Sequence, residues 1–193
     1  MIYLDTNIWL KFINAKRTGK CFPKTNEGIG LLANLEKNKY EVIFSFYNFI
    51  ELSDRLRDQK INLRLLGEGY SVFDLNRERK QTEMLLTEEE QTSFDEEIEL
   101  ITSLKFVESE IDKKPRKISQ KEMGEIYELI GYGINIEDAL HVIFAKQASC
   151  SIFITDDRPF YKGLKKTKSS LLFLKNLEIL NSKEALGNLN VKK

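Results

Sequence analysis

Apolar residues in this chain arrive in two rhythms. Short unbroken runs (Ile2-Tyr3-Leu4, Val42-Ile43-Phe44, Ile152-Phe153-Ile154) alternate with longer stretches in which apolar positions recur every three or four residues. Unbroken short runs suit strands buried on both faces, and the three-to-four spacing suits helices with one apolar face. The pattern predicts a strand over 1–4, a helix over 7–13 on Ile8, Trp9, Phe12 and Ile13, a polar loop over 15–27 and a helix over 28–38. A second strand follows at 42–44. Ser45 is well placed as an N-cap for a helix over about 46–58, packed through Phe49, Leu52 and Leu56. Residues 59–76 show no clear period, and 77–92 are almost entirely polar and read as exposed. The series Phe94, Ile98, Ile101, Leu104, Val107, Ile111 predicts one amphipathic helix, broken by Lys113-Lys114-Pro115-Arg116-Lys117. Further helices are expected over 119–130, ended by Gly131 and Gly133, and over 136–148, apolar on most faces. A third strand is expected at 151–154 and a last one at 171–174 or 177–180.

Strands alternating with helices predict an α/β fold, a three-layer α/β/α arrangement around a mostly parallel sheet. The 193 residues suit a single domain, with about 60–135 as a mostly helical subdomain or clip at one side. Thirty basic residues balance thirty acidic ones, so binding to nucleic acid would need a local basic patch rather than overall charge. Two cysteines, Cys21 and Cys150, are too few for a disulfide framework and lack metal-ligand spacing; free thiols in a reducing cytoplasm fit. No apolar run approaches the ~18 residues of a membrane span. The first residues, with Asp5 inside their apolar stretch and no basic flank, do not read as a signal peptide.

Charge placement changes this picture most. Leu4-Asp5-Thr6-Asn7 and Ile154-Thr155-Asp156-Asp157 are buried runs that stop abruptly at carboxylates. In a parallel sheet, ligands bind beyond the carboxyl ends of the strands, and these acids lie there. Glu51, in the helix after the second strand, and Asp138, in the first turn of the 136–148 helix, map to the same edge. Acids gathered this way repel unless a cation sits between them, and Mg²⁺ or Mn²⁺ favours carboxylate and water oxygens. Each acid also has a local alternative. Asp5 could cap the first helix, Glu51 could pair with Arg55, Asp138 could answer a helix dipole, and Asp156-Asp157 before Arg158-Pro159 could form a turn. Asn7 and Thr155 could add neutral oxygen ligands or orient the acids.

Four motifs in order resemble those of the PIN-domain nucleases, which include the VapC-like ribonucleases. They are Leu4-Asp5-Thr6-Asn7, Ser45 with Glu51-Leu52, Asp138-Ala139-Leu140-His141, and the Thr-x-Asp-x-x-Phe pattern Thr155-Asp156-Asp157-Arg158-Pro159-Phe160. Together the matching stretches are 1–13, 42–57 and 136–160. The resemblance implies a Mg²⁺- or Mn²⁺-dependent endoribonuclease, with Asp5, Glu51, Asp138 and Asp157 catalytic. Asp5, Asp138 and Asp157 would hold metal, and Asp156 would be an auxiliary ligand. Pro159 stands where the family often has an acid, and the 60–135 stretch is longer than in compact members. The implied partners are an RNA substrate, an antitoxin protein if the chain is a toxin, and a second copy in a homodimer.

Other residues bear on substrate. His141, the only histidine, shares a helix face with Asp138 and could touch a phosphate or orient that acid. Arg158 and Lys162, with Lys165, Lys166 and Lys168, follow the last acid and could track RNA phosphates. Lys113, Lys114, Arg116 and Lys117 form a second basic cluster. The Phe94–Ile111 stripe suits internal packing or a partner helix. Two rival functions stay open: a haloacid-dehalogenase-like phosphatase, which needs an Asp where Asn7 stands, and a catalytically inactive module that binds RNA or protein. Response-regulator chemistry needs a late-strand Lys that the chain does not clearly supply.

Overall fold

The computed structural model describes residues 1–18, 23–75 and 85–189, with the side chains of 18 and 23–28 outside that description. Cys21 therefore lies outside the described residues. In chain order the elements are β1 (Ile2–Leu4), α1 (Thr6–Thr18), α2 (Pro23–Lys37), β2 (Val42–Phe44), α3 (Phe46–Gly67), α4 (Glu88–Thr102) and β3 (Val107–Ser109). Then follow α5 (Gln120–Gly131), α6 (Ile136–Gln147), β4 (Ile152–Ile154), α7 (Arg158–Thr167), β5 (Glu178–Leu180) and α8 (Ser182–Asn188).

All five strands run parallel in the order β3-β2-β1-β4-β5. The chain moves outward from β1 to β2 and β3, then returns to place β4 on the other side of β1. That reversal opens a crevice beyond the carboxyl ends of β1 and β4, where open α/β sheets bind ligands.

Strand alternation sorts the apolar residues into two cores. Ile2, Leu4, Val42, Phe44, Ile152, Ile154 and Leu180 face one side, under α1, α2, α3, α4 and α8. Tyr3, Ile43, Phe153 and Ile179 face the other, under α5, α6 and α7. Burying each such side chain contributes roughly 1.5–3 kcal/mol, which is why three-residue strands hold a sheet here. The result is the three-layer α/β/α arrangement that the pattern of runs predicts. No helix among the described residues is long and apolar enough to cross a membrane.

Local departures have local causes. The loop expected over 15–27 is shorter, because Ala15, Lys16 and Arg17 extend α1 and Pro23 opens α2 at a position that suits its fixed φ. The unassigned 59–67 stretch continues α3, burying Lys60, Ile61 and Leu65. Of the polar 77–92 stretch, 76–84 lie outside the described residues. The rest reaches α4, whose Thr87 and Glu90 form a reciprocal capping box.

The single helix expected over 94–111 divides. It ends at Thr102, and Val107 belongs to β3, where it pairs with Val42. Within residues 60–135, expected as a helical clip, β3 is thus an edge strand of the main sheet and Ile101 is in the core beside Ile2 and Leu4. Gly133, at φ +84°, makes the left-handed turn that leads from α5 toward α6. Asp157-Arg158-Pro159, a candidate turn, instead starts α7. Residues 172–174 form one 3-10 turn, so the last strand is at 178–180.

Ile101 gives a direct test of this integration. Ile101→Ala should lower the unfolding free energy by about 2–5 kcal/mol. Urea unfolding followed by far-UV circular dichroism should still show one transition; a separate early transition would mean that the 60–135 stretch unfolds as an independent unit.

Candidate metal centre

β1 and β4 pair in register from Ile2–Ile152 to Leu4–Ile154, and the Asp5 amide continues the ladder by donating to the Ile154 carbonyl at 2.9 Å. Asp5 and Thr155 are therefore level at the sheet edge. Thr155 Oγ1 donates to Asp5 Oδ2 at 2.5 Å, and Asn7 Nδ2 donates to the same oxygen at 2.5 Å. Asn7 also donates to Thr155 Oγ1 and accepts from the Asp156 amide. Two donors thus fix one oxygen of a carboxylate that is only 5% exposed, while Oδ1 turns toward His141 Nε2, 3.6 Å away.

Glu51 arrives from α3. Ser45 caps that helix in a reciprocal box with Asn48, and Asn48 Nδ2 donates to the Leu4 carbonyl at 3.1 Å. The start of α3 is thereby tied to the end of β1. Glu51 lies three residues past Asn48, on the same face, so it leans over Asp5. His141 Nε2 meets Glu51 Oε2 at 2.7 Å, and Arg55 donates to Glu51 Oε1 at 2.6 Å. The Glu51–Arg55 pair is therefore present along with the site contact; the acid uses one oxygen for each. Behind His141, its Nδ1 meets the buried Tyr3 hydroxyl at 2.9 Å, which in turn meets Ser45 Oγ at 2.9 Å. Burial would raise Glu51, but the hydrogen bond and charge of His141, with hydrogen bonds from Thr6 and Arg55, together outweigh it and hold the carboxyl at about 2. Ionised Glu51 can only accept, so His141 Nε2 carries the proton they share.

Asp138 stands in the first turn of α6, and its amide donates to Asn135 Oδ1 at 2.7 Å. A helix N-terminus alone would stabilise its charge. Instead the carboxyl is pushed up to about 7, first by burial, then by the charges of Asp5 and Asp157, with Glu51 adding to them. Burial together with the charges of the other acids overrides the helix end, and those charges tie Asp138 electrostatically to the cluster. Asp5 is raised as well, by burial first. Asp157 is exposed and caps α7, its Oδ1 accepting from the Phe160 amide at 2.9 Å. The cap reading holds for that oxygen, and the other is not engaged among the described residues.

The remaining expected site residues take different places. Asp156, the auxiliary ligand, is bonded elsewhere: Oδ1 accepts from the Ser182 amide, and Oδ2 from Ser182 Oγ and, at 2.5 Å, from Lys11 Nζ. Burial opposes its charge, but Lys11 and Ser182 hold the carboxyl below its usual range. His141 is buried and faces Glu51 and Tyr3, not Asp138 or open space where a phosphate could sit. Asn7 and buried Thr155 orient Asp5. Arg158 and Lys162 are exposed on α7.

Tyr3, Ser45 and Asn48, which position His141 and Glu51, have no separate signal in the sequence beyond the Ser45 cap. Asp5, Glu51 and His141 each offer an atom within 4.8 Å of the others. His141 spends its Nε2 proton on Glu51, so the donors left are carboxylate oxygens, with the charges of Asp5, Asp157 and Glu51 reaching Asp138 beside them; oxygens of this kind suit Mg²⁺ or Mn²⁺ with remaining positions left to water. Burial and then the neighbouring acid charges lift Asp138 to about 7, and a divalent cation would relieve the second of these.

Comparisons with family models, with curated proteins and with solved structures give no match for this chain.

The shifts set a pH signature for the cation-free protein. Asp138 has a folded pKa above its unfolded value, so its contribution is fully present below about 4 and is lost as pH rises through about 7. Glu51 has the opposite sign: its contribution is present above its unfolded value near 4.3 and lost as pH falls through about 2. In EDTA, Asp138→Asn should leave the melting temperature unchanged at pH 4 and raise it at pH 8. An equal shift at both pH values would contradict the repulsive cluster.

Proposed function

We propose that this chain is a Mg²⁺- or Mn²⁺-dependent endoribonuclease, and that Asp5, Glu51, Asp138 and Asp157 form its catalytic centre. The observation that carries the reading is the gathering of acids at the crevice between β1 and β4, where Asp5 and Glu51 offer atoms within 4.8 Å of each other and the Asp138 carboxyl is pushed up to about 7 by burial first and then by the charges of Asp5 and Asp157. Clustered anions at a ligand-binding edge have a use when a cation and a phosphate meet there. RNA as the substrate rests on the four motifs that resemble the PIN-domain nucleases, a family placement we propose on those residues alone.

Asp5, Asp138 and Asp157 would hold the cation, with Glu51 beside them. A bound divalent ion supplies positive charge to phosphate oxygens and acidifies water, the chemistry that phosphodiester hydrolysis needs. The chain's own residues prepare the site. Asn7 and Thr155 fix Asp5 Oδ2 and leave Oδ1 facing the centre. Arg55 and His141 hold one oxygen each of Glu51, which prevents that carboxylate from swinging away. His141 serves as a positioning residue, since its Nε2 proton is engaged by Glu51. A phosphatase of the haloacid-dehalogenase kind has less support: Asn7 is bonded to Asp5 and Thr155, and an amide cannot act as general acid.

The reading places the protein in the cytoplasm, in keeping with a buried free thiol at Cys150. It extends to an antitoxin and a homodimer as partners; a small antitoxin-like reading frame beside the gene would support the toxin setting.

Mixed RNAs should be cut in the presence of Mn²⁺ and spared in EDTA. Asp5→Asn should slow cleavage by about 100-fold or more, since the metal contributes several kcal/mol to the barrier, with an unchanged circular dichroism spectrum. Undiminished cleavage by this variant would refute the site. Mn²⁺ at a hundredfold excess over its Kd should raise the wild-type melting temperature by roughly 5–10 °C. A melt that ignores Mn²⁺, together with no cleavage, would favour an inactive binding module.

A further inference from the structure

Beside the acid centre lies a cavity of about 560 Å³ with the opposite electrical character. Its charged lining comes from three separate elements: Lys11 of α1, Arg158 of α7 and Lys183 of α8, with Asp156 between them. Lys11 and Asp156 neutralise each other at 2.5 Å. Arg158 and Lys183 are exposed and have no hydrogen-bond or ion-pair partner among the described residues. Two unmatched cations therefore face one nucleotide-sized space, within the ~300–1,000 Å³ typical of small-ligand sites. The nearby acid, Glu184, does not line the cavity; it accepts from the Tyr161 hydroxyl at 2.6 Å and lies 3.8 Å from Lys165. Since that hydroxyl is engaged, Tyr161 offers the cavity ring surface.

The cavity and the acid centre share a wall. Thr155 lines the cavity and donates through Oγ1 to Asp5. Asp156, next in the chain, faces the cavity with its charge already matched. The Lys11–Asp156–Ser182 contacts hold α1, the end of β4 and α8 together, so the spacing between centre and cavity is fixed by packing.

We propose that this cavity seats a backbone phosphodiester of the RNA strand flanking the scissile one, with Arg158 and Lys183 as its charge partners. The inference rests on the ribonuclease reading for its ligand and adds a subsite to it. Its logic is one of alternation. The acids need a cation before they can accept a phosphate, whereas the neighbouring cavity attracts one unaided. A strand held there would present its next phosphodiester to the centre. Lys162, on the same helix as Arg158, does not line the cavity and is not part of the subsite.

Fluorescence anisotropy of a short fluorescein-labelled single-stranded RNA in EDTA separates this proposal from hydrolysis. The Arg158→Gln/Lys183→Gln variant should bind about three- to tenfold more weakly at low salt, and its slope of log K against log [salt] should fall by about 0.7, the value for one phosphate on a single strand. Lys121→Gln/Lys175→Gln, with the same loss of charge elsewhere, should match wild type, and all three proteins should melt alike. If the variant keeps the wild-type slope while wild type cleaves RNA, the subsite is wrong and the nuclease reading stands. If the slope falls as expected but wild type cleaves nothing in Mn²⁺, the subsite stands and the nuclease reading fails. RNAs with a 5′-phosphate and with a 5′-hydroxyl should bind equally; a preference for the phosphorylated end that the variant loses would place a terminal phosphate in the cavity and overturn the backbone assignment.

Discussion

Repulsion between carboxylates at one edge of a parallel sheet is the constraint around which this molecule is arranged. The strand order brings the ends of β1 and β4 side by side, and acids follow both. The surrounding structure handles each charge differently. Asp156 is neutralised by Lys11 and held by Ser182. Glu51 is held by His141 and Arg55 at about 2, whereas Asp138, whose carboxyl has no such partner among the described residues, is pushed up to about 7 by burial and by the neighbouring acids. Two acids at one edge are thus driven in opposite directions by their surroundings.

The two helical layers meet at this edge. Leu52 and Leu56 anchor α3 in one core, and Ala139, Val142 and Ile143 anchor α6 in the other. Glu51 and His141 reach from these opposite layers to a contact of 2.7 Å beyond the end of β1. The geometry of the centre thus depends on the packing of the whole sandwich and not on one loop.

Much of this was legible in the sequence because the signals were local. Runs such as Ile2-Tyr3-Leu4 and Ile152-Phe153-Ile154 show buried strands, and an acid directly after such a run has only the sheet edge to occupy. Asp5 and the Asp156-Asp157 pair could be placed at that edge on this basis, and Glu51 and Asp138 from their helix contexts, whereas the choice of Asp157 over Asp156 came from the motif resemblance. β3 was hidden because Val107 continues the spacing set by Phe94 and Ile101, so a short strand after α4 looks like more helix. The start of α7 was hidden because Arg158-Pro159 suits a turn and the first turn of a helix equally well. The work of His141 was not legible at all. Its partners Tyr3 and Glu51 are 138 and 90 positions away, and no period of helix or strand links such residues. Asp156 and Asp157 show the same limit: adjacent acids with equal local claims are separated by Lys11 and Ser182, which only the folded chain brings near.

The Tyr3 hydroxyl, buried between Ser45 and His141, has a consequence for how this protein can change over evolutionary time. Losing the Tyr3 hydroxyl leaves the buried His141 Nδ1 without its partner, at a cost of about 1–3 kcal/mol. Replacing Tyr3 and His141 together removes that mismatch, so their effects should not add. Substitutions along this chain of contacts are therefore tolerated in combinations and in a restricted order. Lineages of this fold should be found to vary there as a group, as strongly epistatic positions do, even though the residues come from a strand, the start of α3 and the middle of α6.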